Sequence, residues 1–332
     1  MTHKTIINIC LTLIALCWTM AIQAQRATVD GINYNLNSDK TAVVTTSNVS
    51  GDIVIPEKIT VDGVEYSVTS IASGAFQDCK AITSVTMPSV TSIGVEAFFK
   101  CSNLTSVTMP SVTSIEIQTF LDCSNLTSVA MPSVTSIGYS AFSSCSSLTS
   151  VTMPSVASIG SQAFVGCSSL TSVDMPLVTS IGQKAFNYCS SLTSVTIPLV
   201  TSIGDEAFQD SPITNLSLQA TLTSIGNSCF AKTREITFAA TSPAVLGTNV
   251  FWESAVIRVP ESAVNTYRTA AGWSNYKDQI LSMSDKTDYN VTVTAHEKES
   301  GLLNMITKDK LGKVVSLKVT GDRKSVGRER VC

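Results

Sequence analysis

Apolar positions along this chain recur on a beat of 22 residues. Phe76, Phe98, Phe120, Phe142, Phe164, Phe186, Phe208 and Phe230 stand at that interval. Ile71, Ile93, Ile115, Ile137, Ile159, Ile181, Ile203 and Ile225 keep the same time, and so do Cys79, Cys101, Cys123, Cys145, Cys167 and Cys189. Self-similarity at a fixed period of this length predicts a repeat solenoid. One repeat cannot bury its own apolar face, whereas stacked repeats share a continuous core.

Each unit has three parts. Residues 104–110, LTSVTMP, place Val107 and Met109 at strand spacing, and Pro110 ends the strand because it cannot donate to a ladder. Residues 112–115 form a second short extended piece. In residues 93–101 the apolar Ile93, Ala97, Phe98 and Cys101 mix three- and four-residue steps, which predicts one helical or 3₁₀ turn, with no room for a longer helix. The expected coil therefore combines short parallel strands with a short turn.

The flanks lack the full pattern. Residues 1–24 read as a signal peptide: Lys4 precedes a mostly apolar run, and Ala24 stands where cleavage would fall. Residues 25–69 are strand-like and broken by Asp30-Gly31, Gly51-Asp52 and Asp62-Gly63, which predicts an N-terminal β cap over the exposed end of the array. The array itself is assigned to residues 70–259. In residues 260–282, Val264, Tyr267 and Ala271 share a helical face closed by Gly272, with Trp273 and Tyr276 behind them. This predicts a C-terminal cap whose aromatic residues pack into the core. Residues 283–321 alternate around Val291 and Leu317, flanking a candidate helix at 302–311, and read as the start of a truncated second module. Residues 322–332 depart from everything before them and read as a sequencing artefact.

The Leu-Thr-Ser-Val-x-Met-Pro block, the Ser-Ile-Gly step and the Ala-Phe-x-x-Cys turn together resemble the BspA-like leucine-rich repeat of microbial surface proteins. The resemblance implies a leucine-rich-repeat solenoid and an adhesin-like, secreted or cell-surface role. It further implies an extracellular or host-surface protein partner, with an extracellular-matrix glycoprotein as the usual candidate. Glu116 replaces the glycine and Thr119 the alanine of the pattern. Near residues 211–222, Ile213, Leu216 and Leu218 arrive one residue early, which predicts a bulge or a change of curvature.

Composition narrows function mostly by exclusion. A net charge of −3 with 14% charged residues gives no electrostatic case for nucleic acid. No transmembrane span is expected once the signal is removed. His3 leaves with the signal, so His296 would be the sole mature histidine, which argues against triad chemistry and multi-histidine zinc sites. No phosphate-binding glycine motif is present, so no enzyme and no cofactor are expected. A cysteine position set by the repeat points to a ladder of buried free thiols rather than disulfides, because parallel Cβ vectors suit disulfide geometry poorly.

Two surfaces remain. Comparison among the repeats places variation beside each Ala-Phe pair, and Phe99, Lys100, Leu121, Tyr139, Val165 and Tyr188 become candidate partner-binding residues on a ridge. Packing between adjacent turns is the competing explanation. The second surface is a hydroxyl array, Ser84 and Thr86, Ser106 and Thr108, Ser150 and Thr152, Ser194 and Thr196, interrupted by Ala130 and Asp174. It suits a glycan or an ordered surface, or simply solubility. A passive stalk for the missing C-terminal module is the third alternative.

Overall fold

The computed structural model describes residues 25–285 and the backbone of 291–294 and 317–320. The signal segment 1–24, His296, the helix expected at 302–311 and the tail 322–332 lie outside the described residues. The chain divides into two units, Met1–Met283 and Ser284–Cys332. In the second unit, Val291–Thr294 and Leu317–Thr320 pair in parallel.

The first unit is a solenoid whose coils have three sides. On the first face, short parallel strands stack in a five-stranded sheet that includes Ser106–Thr108 and a six-stranded sheet that includes Ser194–Thr196. On the second face, two-residue strands from Ser114–Ile115 to Val245–Leu246 form a seven-stranded ladder. Equivalent residues face one another across coils: Val107 pairs with Val129, and Ile115 with Ile137. The fixed period leaves no other register in which every apolar side chain points inward.

The third side is a run of turns. Within a coil, Ala97 N–H donates to Gly94 O and Cys101 N–H to Phe98 O. Alternate groups turn outward along the stack, so Phe98 N–H donates to Thr119 O and Lys100 N–H to Leu121 O of the next coil. The i→i+3 bonds are those expected of a 3₁₀ turn. Left-handed residues such as Glu96 (φ 57°) and Lys100 (φ 58°) keep them from running on into a helix. The backbone thereby satisfies half its donors locally and half between coils.

Behind these turns the phenylalanines form a column. From Phe76 to Phe230 successive rings stack with centroids 5.1–5.7 Å apart and planes within 15°. Cysteines form a second column. All are free and buried. Cys123 Sγ donates to Phe98 O at 3.1 Å, Cys145 to Phe120 O and Cys167 to Phe142 O at 3.2 Å. Each thiol thus adds a second hydrogen bond to a carbonyl that already accepts a turn N–H. Ser211 continues the column, its hydroxyl donating to Phe186 O at 2.7 Å. Burial pushes the thiols of Cys101, Cys123, Cys145, Cys167 and Cys189 up, those of Cys101 and Cys189 to about 12.

Both ends are closed. Asp30-Gly31 (φ 49°, 79°) and Asp62-Gly63 (φ 51°, 78°) form the tight turns of two antiparallel hairpins. Val64–Ile71 belongs to the second hairpin, and its last residues, Ser70 and Ile71, pair in parallel with Ser92 and Ile93. One strand thus converts antiparallel cap into parallel solenoid. At the other end a short helix, Val264–Thr269, leads to a 3₁₀ turn, Trp273–Tyr276. Tyr267 and Trp273 are fully buried and donate to Ala240 O and Ala244 O. A last strand, Ile280–Ser282, then returns to the first face.

Candidate interaction surfaces

The turn side carries all six candidate residues, in separate files rather than one stripe. Phe99, Leu121 and Val165 share one file and are half-buried. Ser143 and Asn187, which occupy the same position in other coils, are buried, so this file supports packing between turns. Lys100 and Tyr188 share a second file, both exposed and both left-handed. Lys100 Nζ lies 4.8 Å from the centre of the Phe99 ring, a cation–π arrangement at the edge of the column. Tyr139 belongs to a third file, and its hydroxyl donates to Gln162 Oε1 at 3.2 Å.

That third file contains the residue missed from sequence. Val95, Ile117 and Tyr139 occupy one position in three consecutive coils, where later coils carry Ser161, Gln183, Asp205 and Asn227. Ile117 is 44% exposed and Tyr139 43%, so the apolar run faces solvent. Aligning the repeats by this single position would have found it. A second exposed pair, Leu177 and Leu199, stands where earlier coils have Ser111, Ser133 and Ser155.

Glu116 interrupts the second face beside Ile117. At Gly138, an added Cβ would sit 2.9 Å from backbone of the preceding coil, and at Gly94 2.4 Å. Glycine allows that approach, and Gly94 and Gly138 N–H donate to Ile71 O and Ile115 O. Among the described residues the equivalent bond from Glu116 to Ile93 is not made. The neighbouring Thr113 N–H to Thr91 O bond lengthens to 3.3 Å, and the ladder breaks between Ser92–Ile93 and Ser114–Ile115. Thr119, by contrast, fits in the core because its hydroxyl donates to Glu116 O at 2.8 Å.

The first face presents the hydroxyl files in strict register, Ser84 to Ser106 to Ser128 to Ser150, and Thr86 to Thr108 to Ala130 to Thr152. The side chains from Ser106 to Thr196 on these files are exposed. A neighbouring threonine file is already occupied: Thr105 Oγ1 donates to Thr83 O, and Thr127 Oγ1 to Thr105 O. Among the described residues no group of three or more His, Cys, Asp or Glu side chains is placed to hold a metal.

A family model of the BspA type leucine rich repeat region matches residues 57–171 and 157–260. A leucine-rich repeat protein from Bacteroides ovatus ATCC 8483 is similar at 24% identity over 77% of this chain and 75% of that one, with a TM-score of 0.53. That likeness shows the fold. The T. pallidum leucine rich repeat protein is 31% identical over 56% of this chain and 89% of that chain, with a TM-score of 0.51. No curated protein matches the chain.

Proposed function

The chain belongs to the BspA-type leucine-rich repeat family, and from that premise we propose that it is a secreted or cell-surface adhesin-like scaffold that binds an extracellular protein. The observation that carries this reading is the apolar file of half-buried Val95 and exposed Ile117 and Tyr139, with Phe99, Leu121 and Lys100 beside it. A rigid ladder presenting apolar and aromatic side chains amid serine and threonine suits a protein partner, because such anchors dominate binding energy at interfaces. An extracellular-matrix glycoprotein is the partner class this reading names. Among the described residues no helix is long and apolar enough to cross a membrane. The test is binding of the purified chain to immobilised matrix glycoproteins. Saturable binding that falls at least tenfold in Ile117→Ser with Tyr139→Ser supports the reading, and binding indifferent to that pair removes it.

The register of the hydroxyl files favours a second reading, contact with a glycan or another ordered surface across the first face. Ser106→Lys with Thr108→Lys would abolish that activity and spare matrix binding.

A further inference from the structure

The first face opens at two places: the ladder breaks between Ser150–Thr152 and Ser172–Asp174, where the five-stranded sheet ends and the six-stranded one begins, and it thins again near Asn215. Between Ser194–Thr196 and Asn215–Leu218 the ladder is held by a single pair, Ser194 with Asn215, against three pairs in the rung before and four in the rung after. The cause is a change of step. Thr214 N–H donates to Thr193 O, 21 residues back, while Thr223 N–H donates to Thr201 O, 22 back. The coil is thus one residue short before the strand and regains it after. Leu216 and Leu218 stay buried, so the core is kept continuous and the backbones part instead.

The parting leaves a cleft of about 450 Å³, within the range of small-ligand sites, about 300–1,000 Å³. Pro198 gives the cleft its accessible apolar surface above the buried Val195 and Leu216, and Thr196, Asn215, Gln219, Glu235 and Thr237 supply polar walls. Elsewhere the outward file that reaches Asn215 and Glu235 carries serine, as at Ser128, Ser150 and Ser172. The side chains therefore lengthen where the ladder opens. Glu235 is not a loose charge: Arg258 Nε donates to its Oε1 at 2.5 Å, and Arg258 also donates to Ser282 O.

We propose that this cleft binds one unit of a neutral saccharide chain. A sugar ring offers hydroxyls that both donate and accept around its rim, and an apolar C–H face. Asn215, Gln219, Thr196 and Thr237 also both donate and accept, and the Glu235 carboxylate accepts two further hydroxyl protons. Pro198, the half-buried apolar residue of the lining, meets the C–H face. Glu235 is paired with Arg258, and the exposed Asp174 stands opposite Thr196, so an anionic ligand gains nothing there. An apolar side chain of a protein partner would leave the polar walls unpaired.

The full chain is probed on an array of neutral polysaccharides, glucans, mannans, galactans and xylans, with sulfated and uronic-acid polymers as controls. The expected result is binding of a neutral class and not of the anionic ones. Asn215→Ala with Gln219→Ala weakens it at least tenfold, and Ser217→Trp, which fills the cleft, abolishes it with an unchanged melting temperature. Ile117→Ser with Tyr139→Ser leaves it intact, which separates this site from the protein-binding file. Failure to bind any neutral glycan overturns the proposal. So does glycan binding that survives both cleft variants, or that is lost instead in Ser106→Lys with Thr108→Lys.

Discussion

The regular coils from Gly94 to Asp210 and the segment from Ser211 to Ser282 solve the same burial problem differently. In the regular coils each ring meets a copy of itself, and the phenylalanines stack nearly parallel, as Phe142 does on Phe164 at 4°. Such a column can be extended by another coil at either end but has no means of stopping. In the C-terminal segment strand steps shorten, with Asn215 opposite Glu235 and Glu235 opposite Val256. The column then meets ring edges: Phe251 contacts Phe238 at 85° and Tyr276 at 83°, and Trp273 contacts Tyr267 at 87°. An edge-to-face contact sets the positive rim of one ring on the negative face of another, and a ring so covered offers no face to a further copy. Periodicity builds the stack; its loss ends it and, at Asn215, opens a cleft.

Several substitutions sharpen that contrast. Phe142→Ala removes a ring from the middle of the column and should cost about 3–5 kcal/mol, as should Trp273→Ala at the end. The two differ in where the damage spreads. Hydrogen exchange should rise on both sides of residue 142 in the first variant and from the C-terminal coils inward in the second, because each coil leans on its nearest neighbours. Uniform loss in both would mean that the two regions unfold as one block.

Alkaline pH attacks the regular region next. The Cys101 and Cys189 thiols are raised from 9.0 to about 12, so the folded state resists ionisation that the unfolded state accepts. Their contribution is full below pH 9 and is lost as pH rises toward 12, up to about 4 kcal/mol for each thiol. Urea melts between pH 8 and 11 should show the decline, and Cys189→Ser should flatten it.

Two smaller changes test local strain. Tyr188 holds φ at 58° where Gly166 stands in an earlier coil. Tyr188→Gly should therefore gain up to about 1 kcal/mol. Glu116→Gly should let residue 116 N–H reach Ile93 O, gaining about 0.5–1.5 kcal/mol and visible as amide protection at that residue. Cys145→Ser should have the smallest effect, because Ser211 already makes the same bond to Phe186 O. A thermal melt comparing Cys145→Ser with Cys145→Ala would show whether the donor matters.

Much of this was legible in the chain itself. Phe, Ile and Cys at one interval dictated a stack of identical coils, because only translation by a whole repeat buries every such side chain at once. The same rule marks Glu116 and Thr119 as departures, whereas Tyr267 and Trp273 lie outside the period and are read from the helical spacing of Val264, Tyr267 and Ala271. The candidate surface was legible only in part. Tyr139 and Tyr188 are exposed, yet Phe99, Leu121 and Val165 turn half inward, because variation among repeats shows freedom from identical packing and not exposure. Ile117 stands in file with Tyr139 and is equally exposed. The tertiary structure alone decided how the one-residue change of step near Asn215 was absorbed. A shifted apolar pattern can be accommodated by moving side chains or by parting backbones. Here the buried Leu216 and Leu218 kept their places, and the weaker edge hydrogen bonds between coils gave way.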